Sequence, residues 1–247
     1  MRQFAFRPKP ALLLVRETAE QIVQAAQRGD RTILVSLDLG FSKTEVDIRG
    51  EQVVFPDGSK VNIRLLSKVG PEDVCMVERG EIFKLAFYAD NRYYRLLSAG
   101  PNEAPTLEIS GIHMHRIKDT TPWRDALEKV RSLRIAPGTR VLDIGTGLGY
   151  TAIIASRQGG EVTTVELDPN VLEMARINPW SKGLASPRIH LWLGNALELV
   201  PTLPSDHFHS AIHDPPRFAY AGELYSKSFY VELFRVLKPK GRLYHYV

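Results

Sequence analysis

A glycine-rich turn between an apolar strand and a helix constrains the fold of this chain more than any other feature. The segment VLDIGTGLG spans residues 141–149, and the apolar run YTAII follows it directly. Glycines let the backbone pass close to a ligand, and a helix N-terminus presents unpaired N–H groups. The segment therefore predicts a strand–turn–helix unit that binds a nucleotide-like ligand at its turn.

The spacing of the glycines and one acidic residue bears on the kind of ligand. Dinucleotide-binding turns space their glycines as G-x-G-x-x-G around a pyrophosphate. Here the spacing is G-x-G-x-G, and Asp143 stands two residues before the first glycine. A carboxylate at this position would repel a pyrophosphate but suits a cationic ligand. S-adenosylmethionine, which carries an ammonium and a sulfonium group, is the expected cofactor.

The second half of the chain alternates apolar strands with amphipathic helices, which favours an α/β fold. A helix is expected from a Thr121 cap and Pro122 to about residue 133. The other predicted strands are 140–144, 161–166, 188–193, 208–213 and 242–247, and the other helices 149–158, 168–177 and 223–237. This alternation predicts a doubly wound, mainly parallel sheet covered by helices.

The first half has short β-branched and aromatic runs separated by turn residues. A helix is expected over 17–27, strand-like runs at 46–48, 53–55, 61–66, 82–88 and 93–97, and a hairpin turn at Pro56-Asp57-Gly58. We therefore expect a smaller, strand-rich domain over residues 1–118, a candidate for substrate recognition. The cofactor-binding domain is expected over residues 119–247.

Two further motifs follow the glycine turn at the ends of the next two strands. Glu166 lies 21 residues beyond Gly145, about where an acidic residue meets ribose hydroxyls. Asp168 and Pro169 fit the cap and first position of the next helix. Asn195 follows the third strand, where an adenine amino group would lie, and its side chain can accept a hydrogen bond.

With these motifs in this order, residues 139–247 resemble the class I (Rossmann-like) methyltransferases. The resemblance implies that Asp143 and the three glycines hold the methionine portion of the cofactor, Glu166 the ribose, and that Asn195 lies by the adenine. The complete predicted cofactor site is Asp143, Gly145, Thr146, Gly147, Gly149, Glu166, Leu167, Asn195 and Ala196.

The fourth strand leads into Asp214-Pro215-Pro216-Arg217-Phe218. This segment resembles the D-P-P-aromatic motif of methyltransferases that modify exocyclic amines of nucleobases, although Arg217 occupies the aromatic position. Asp214 is predicted to be catalytic, and the four residues after it to bind substrate. The alternative role of Asp214 is to cap a turn before the two prolines. Related variants occur in RNA methyltransferases that act on base carbons with a cysteine, but Cys75 matches no such motif.

Histidines and basic residues near the domain boundary give weaker signals. Alternation along a strand would place His113 and His115 on one side, so both are predicted to bind substrate. A third ligand is not evident, and no metal site is predicted. His213 is expected on the side of its strand opposite Asp214. The basic residues of 116–134, including Lys129, are expected on a solvated helix face.

Composition excludes several classes of protein. Cys75 is the only cysteine, so neither an intrachain disulfide nor a cysteine-based metal cluster is possible. No apolar run approaches the roughly 18–20 residues of a membrane span, and no signal peptide is evident, which predicts a cytoplasmic protein without a membrane partner. The net charge of +4 is compatible with an RNA partner without requiring one. The oligomeric state stays open.

Three functions remain, of which methyl transfer to a nitrogen acceptor in RNA or a small molecule is favoured. The alternatives are aminopropyl transfer to a polyamine, which should require extra acidic residues in the acceptor pocket, and a non-catalytic binding module. Members of the family usually close the sheet with a sixth and a seventh strand. The segment 242–247 would be the fifth strand, so the last two are expected to be missing.

Overall fold

The computed structural model describes residues 1–215 and 222–246, and the chain divides into two units. Unit 1 comprises Met1–Pro8 and Trp123–Val247, and unit 2 comprises Lys9–Pro122. The sequence-based boundary at residue 118 lies close to the second of these junctions. It placed residues 1–8 in the first domain, whereas they group with the second. Pro216, Arg217 and Phe218 lie outside the described residues.

The elements are numbered in chain order. Up to the second junction they are β1 (Arg2–Gln3), β2 (Leu12–Leu14), α1 (Arg16–Arg28), β3 (Thr32–Val35), β4 (Thr44–Arg49), β5 (Gln52–Val54), β6 (Lys60–Asn62), α2 (Ile63–Leu66), β7 (Cys75–Glu78), β8 (Glu81–Lys84), β9 (Ala86–Ala89), β10 (Arg92–Leu97), β11 (Thr106–Ile109) and β12 (Ile112–His113). They continue with α3 (Pro122–Ser132), β13 (Arg140–Ile144), α4 (Tyr150–Arg157), β14 (Glu161–Glu166), α5 (Pro169–Ile177), β15 (Ile189–Leu193), α6 (Ala196–Leu199), β16 (Phe208–His213), α7 (Lys227–Val236) and β17 (Leu237–His245).

Unit 1 contains a sheet with the strand order β1-β15-β14-β13-β16-β17. The last five of these strands are parallel, and β1 pairs antiparallel with β15. The predicted α/β fold with a doubly wound, mainly parallel sheet is confirmed. Because the order reverses at β13, the carboxyl ends of β13, β14 and β16 meet at the edge of the sheet where ligands bind in such folds.

The bounds of the strands predicted in unit 1 agree closely with the structure except at β17, whereas the run 82–88 of unit 2 is divided between β8 and β9. Strand β17 begins at Leu237 rather than at residue 242, and it ends at His245. Its pairing with β16 shifts register between Phe208 and Ser210, and Lys240 has a φ of 65°. An irregular strand of this kind hides its period-two pattern, because the extra residues break the alternation.

The core of unit 1 lies between β13, β14, β16 and helix α7. Leu142 and Ile144 of β13 contact this core together with Phe208 of β16 and Phe229 and Leu233 of α7, and all five are buried. Burial of each such side chain contributes roughly 1.5–3 kcal/mol. These contacts fix the strands whose ends carry the site residues.

Unit 2 consists of three antiparallel sheets with the orders β3-β4-β5-β6, β2-β7-β8 and β12-β11-β10-β9. The predicted strand-rich character is therefore confirmed. The turn over 56–58 is also as predicted, with Gly58 at a φ of 83° and its N–H donating to the Phe55 carbonyl at 2.9 Å. The run 61–66 is only half a strand, because Asn62 caps the short helix α2 through the Arg64 N–H.

The helix starts of unit 1 test two capping predictions. The Asp168 carboxylate accepts the Asn170 N–H at 2.9 Å, and Pro169 stands at the first position of α5, as expected. Pro122 begins α3, but the Thr121 hydroxyl has no hydrogen-bond partner among the described residues, so the predicted Thr121 cap is wrong. Within the same described ranges, no helix combines the length and apolar content needed to cross a bilayer.

Candidate functional site

The glycine turn leaves the carboxyl end of β13 and begins helix α4. The N–H groups of Gly145 and Thr146 donate to the Val165 carbonyl at 3.1 and 3.0 Å, which ties the turn to β14. Gly149 has a φ of 81°, and a Cβ atom there would lie 2.5–2.6 Å from the side chain of Leu184. Only glycine satisfies both the backbone and the packing at this position.

A buried polar network supports the turn from the segment Pro179–Ala185, which forms a 3₁₀ helix. The Ser181 hydroxyl donates to the Leu148 carbonyl at 2.7 Å. The Asn178 amide donates to Ser181 Oγ at 2.8 Å and to the Tyr150 hydroxyl at 2.9 Å. This support is not evident from the sequence, because isolated Asn and Ser residues are also typical of surface loops.

Asp143 is buried beneath the turn, with only 1% of its surface exposed. Its two carboxylate oxygens accept hydrogen bonds from Thr151 Oγ1 at 3.0 Å and Thr164 Oγ1 at 2.7 Å. Burial raises the pKa of Asp143 to about 7, although the two threonine hydroxyls oppose the shift. The residue is thus a buried acid whose charge is costly in the absence of a nearby cation.

Glu166 ends β14 and connects it to the glycine turn. Its Oε2 accepts the Gly147 N–H at 2.8 Å, and its Oε1 accepts the Asp168 N–H at 3.0 Å. Burial raises the pKa of Glu166, while these backbone hydrogen bonds lower it. The carboxylate therefore lies against the turn, and its contact with a ribose stays a prediction.

The other predicted cofactor residues differ in what they present. The Thr146 hydroxyl pairs with Thr164 Oγ1 at 2.7 Å and is buried, so this side chain supports the turn from within the fold. Leu167 is 66% exposed directly after Glu166. Asn195 caps α6 by accepting the Leu197 N–H at 3.0 Å, and Ala196 is buried in the core. Direct contacts of these residues with the cofactor stay predictions.

Asp214 follows β16 and pairs with a lysine from helix α3. Asp214 Oδ2 contacts the Lys129 ammonium, which also lies 2.6 Å from Asp125 Oδ2. Lys129 is buried, so the prediction that it lies on a solvated face is wrong. A signal was present, because Lys129 stands three residues after Ala126 and next to Val130, two residues of the buried face.

His213 precedes Asp214 and points to the other side of β16, as predicted. Its ring lies against the rings of Phe229 and Tyr230 on α7, and its Nε2–H donates to the Leu224 carbonyl at 2.9 Å. Burial lowers the pKa of His213 to about 4, helped by the charge of His245. A neutral histidine among aromatic rings anchors the end of the strand.

The two histidines predicted to bind substrate lie in unit 2 and have different partners. His113 Nε2 lies 3.3 Å from Glu108 Oε2, and Glu108 is also held by Arg95. His115 Nδ1 lies 3.1 Å from Thr106 Oγ1. Because β12 ends at His113, alternation along a strand does not govern the direction of His115. Their substrate-binding role stays a prediction.

The site of unit 1 fits the chemistry of S-adenosylmethionine. Asp143 is a buried acid whose charge a cation would stabilise, the Glu166 carboxylate lies at the turn, and the exposed Leu167 side chain offers an apolar surface beside it. A ligand with cationic and apolar parts would satisfy all three features. Asp214 lies beside the same turn, since a Cβ atom on Gly145 would be 3.8 Å from the Asp214 carbonyl oxygen.

Comparison with known proteins agrees with this assignment. Residues 141–241 match the family described as methyltransferase domain. The chain is 44% identical over 221 residues to the uncharacterized protein MJ1233 of Methanocaldococcus jannaschii, which covers 86% of this chain and 75% of that protein. The match to MJ1233 extends well beyond the methyltransferase domain.

Two further matches are partial. The ribosomal protein L11 methyltransferase of Thermus thermophilus is 33% identical over 114 residues, covering 46% of this chain and 37% of that protein. A crystal structure of spermidine synthase with the transition-state analogue AdoDATO shares the fold, with a TM-score of 0.52 and 23% identity, over 64% of this chain and 57% of that one. This chain thus spans well under two thirds of either protein.

Proposed function

The chain belongs to the same family as MJ1233 and carries an S-adenosylmethionine-dependent methyltransferase domain, and we propose that it methylates a nitrogen acceptor in RNA or a small molecule. The observation that carries this proposal is the position of Asp214, directly after the carboxyl end of β16, where its backbone carbonyl lies next to the glycine turn. An amine must be aligned with the methyl group and must lose a proton, and a fixed carboxylate serves both needs.

Each residue of the site has a defined part in the proposed reaction. Bound S-adenosylmethionine would supply the methyl group as a sulfonium electrophile, and breaking of its S–CH₃ bond would release S-adenosylhomocysteine. Asp143 provides the buried negative charge under the turn, Glu166 accepts hydrogen bonds from the ribose, and the backbone of the turn surrounds the methionine portion. Asp214 accepts a hydrogen bond from the acceptor nitrogen and receives its proton as the new N–C bond forms.

Replacing Asp214 tests the proposal. Total RNA, proteins and polyamines should first be screened with cofactor carrying a labelled methyl group. On the acceptor so found, Asp214→Ala should bind S-adenosylmethionine nearly as the wild type does yet lose about a hundredfold in rate, the usual scale for a lost proton-transfer group. Glu161→Gln, at the opposite end of the sheet, is the matched control. If Asp214→Ala kept full activity, the proposed catalytic role would be wrong and Asp214 would only cap the turn before the two prolines.

Aminopropyl transfer to a polyamine is the second candidate, favoured by one observation. Asp125 places a second carboxylate near Asp214, as a pocket for a polycation would require. Lys129 between them already neutralises one of the two charges, so methyl transfer remains the first proposal. Calorimetric titration with S-adenosylmethionine and its decarboxylated analogue separates the two, because an aminopropyltransferase should prefer the analogue. Cofactor binding without turnover on any acceptor would favour a non-catalytic module.

A further inference from the structure

The side chain of Lys129 is unusual in its burial. Only 9% of it is exposed, whereas lysine is almost never buried unless it is paired. Its ammonium contacts Asp125 Oδ2 from one turn earlier in α3 and Asp214 Oδ2 from the end of β16. The ammonium also lies 5.6 Å from the ring centroid of Tyr246. A helix, a strand end and an aromatic ring therefore converge on one cation.

The charges around Lys129 keep it ionised. Burial alone would lower the pKa of Lys129, but Asp214 and Asp125 outweigh it and raise the pKa above its usual value. Two carboxylates and one ammonium leave a single net negative charge in this cluster. Without the ammonium, two carboxylates would face each other in a partly buried place, which is strongly unfavourable.

The contact engages only one of the two oxygens of Asp214. Lys129 holds Oδ2, and within the described part of the chain no hydrogen bond to Oδ1 is found. The Asp214 side chain is 25% exposed, so part of this carboxylate is accessible to a ligand. A carboxylate fixed at one oxygen presents the other in a defined direction.

We propose that Lys129 is a positioning residue, which fixes the Asp214 carboxylate so that its second oxygen faces the acceptor nitrogen. This inference rests on the proposed role of Asp214 in methyl transfer. Asp125 also contacts the lysine and so acts one step further from the reaction.

Kinetics provide the first test. On the acceptor found by the labelling screen, Lys129→Met should lower kcat by about tenfold to a hundredfold, the scale of a misplaced catalytic group, while the Kd for S-adenosylmethionine stays nearly unchanged. Lys129→Arg keeps the cation and should recover part of the loss. Arg131→Met, an exposed cation of the same helix, is the matched control. Unchanged kcat in Lys129→Met, or no difference between the Met and Arg variants, would overturn the proposal.

A second readout needs no acceptor and uses the folded wild type. The ¹⁵N resonance of the Lys129 ammonium should shift when S-adenosylhomocysteine is replaced by S-adenosylmethionine, since only the latter carries the sulfonium charge. Lys129→Arg identifies the signal. An unmoved resonance, with both ligands bound by calorimetry, would place Lys129 away from the reaction and refute the inference. Failure of both ligands to bind would instead refute the proposed function itself.

Discussion

Replacing Asp143 by asparagine should stabilise the ligand-free protein at alkaline pH and weaken cofactor binding at the same time. Asparagine has the same shape as aspartate but carries no charge. Burial raises the pKa of Asp143 from its usual 3.8 to about 7. A carboxyl group with a raised pKa holds its proton more tightly in the folded state, so acid favours folding and alkali opposes it.

The magnitude follows from the size of that shift. Roughly three pH units at about 1.4 kcal/mol each give an unfavourable contribution of about 4 kcal/mol well above pH 7. When the pH is lowered from about 8 to about 5.5, the free energy of unfolding of the wild type should rise by about 2 kcal/mol, because Asp143 is protonated in the folded state at the lower pH. Asp143→Asn has no titrating group at this position. The amount by which it is more stable than the wild type should therefore fall by about 2 kcal/mol over the same pH change.

Urea unfolding at both pH values measures this difference. Trp123, Trp180 and Trp192 are the only tryptophans and all belong to unit 1, so their emission reports the unit that contains Asp143. If the stability difference between wild type and variant were independent of pH, Asp143 would not be the buried acid described above.

Calorimetry tests the other half of the prediction. A charge-assisted contact contributes about 1.5–3 kcal/mol, so Asp143→Asn should bind S-adenosylmethionine at least about tenfold more weakly. Binding to the wild type should also weaken as the pH falls through about 7, because Asp143 then becomes neutral. If the wild type and Asp143→Asn bound S-adenosylmethionine equally well at each pH, the charge of Asp143 would have no role in cofactor recognition.

Two further substitutions test the rest of the cofactor site. Glu166→Gln should weaken S-adenosylmethionine binding by about twofold to tenfold without unfolding the protein, since neutral hydrogen bonds to the ribose replace charged ones; a crystal of the complex with Glu166 beyond hydrogen-bond length of the ribose would contradict this. Gly149→Ala should destabilise unit 1 by about 1–3 kcal/mol, because its Cβ would overlap Leu184; Gly138→Ala, also at positive φ but with open space around it, is the control, and equal losses would show that packing against Leu184 contributes nothing.

The elements that hold the cofactor were the most predictable from sequence. Strands β13, β14 and β16 begin and end where their apolar runs do, and helix α5 starts at its predicted cap. These features depend on residues close together in the chain, so their physics is local. The glycine turn belongs to the same group, because its φ angles require glycine wherever the rest of the chain lies.

The features that could not be predicted from the sequence depend on contacts between residues that are distant in the chain. A lysine in an amphipathic helix is usually solvated, and Asp214, 85 residues later, joins Asp125 in making the burial of Lys129 favourable. Strand β1 has two residues, too few for any periodicity, and its pairing depends on β15. Asn178 and Ser181 follow the same rule, since their supporting role depends on the Tyr150 hydroxyl and the Leu148 carbonyl, about 30 residues earlier in the chain.

The position of β1 in the sheet affects the order in which parts of the protein fold during synthesis on the ribosome. Arg2 pairs with Leu193, so this edge of the sheet stays open until the ribosome has made β15. Unit 2 is complete in sequence at Pro122, long before that point. Closing so long a loop costs about 4–5 kcal/mol of chain entropy, which only an already folded partner strand can offset. Strand β1, which is synthesised long before its partner β15, is therefore among the last elements of unit 1 to reach its native place.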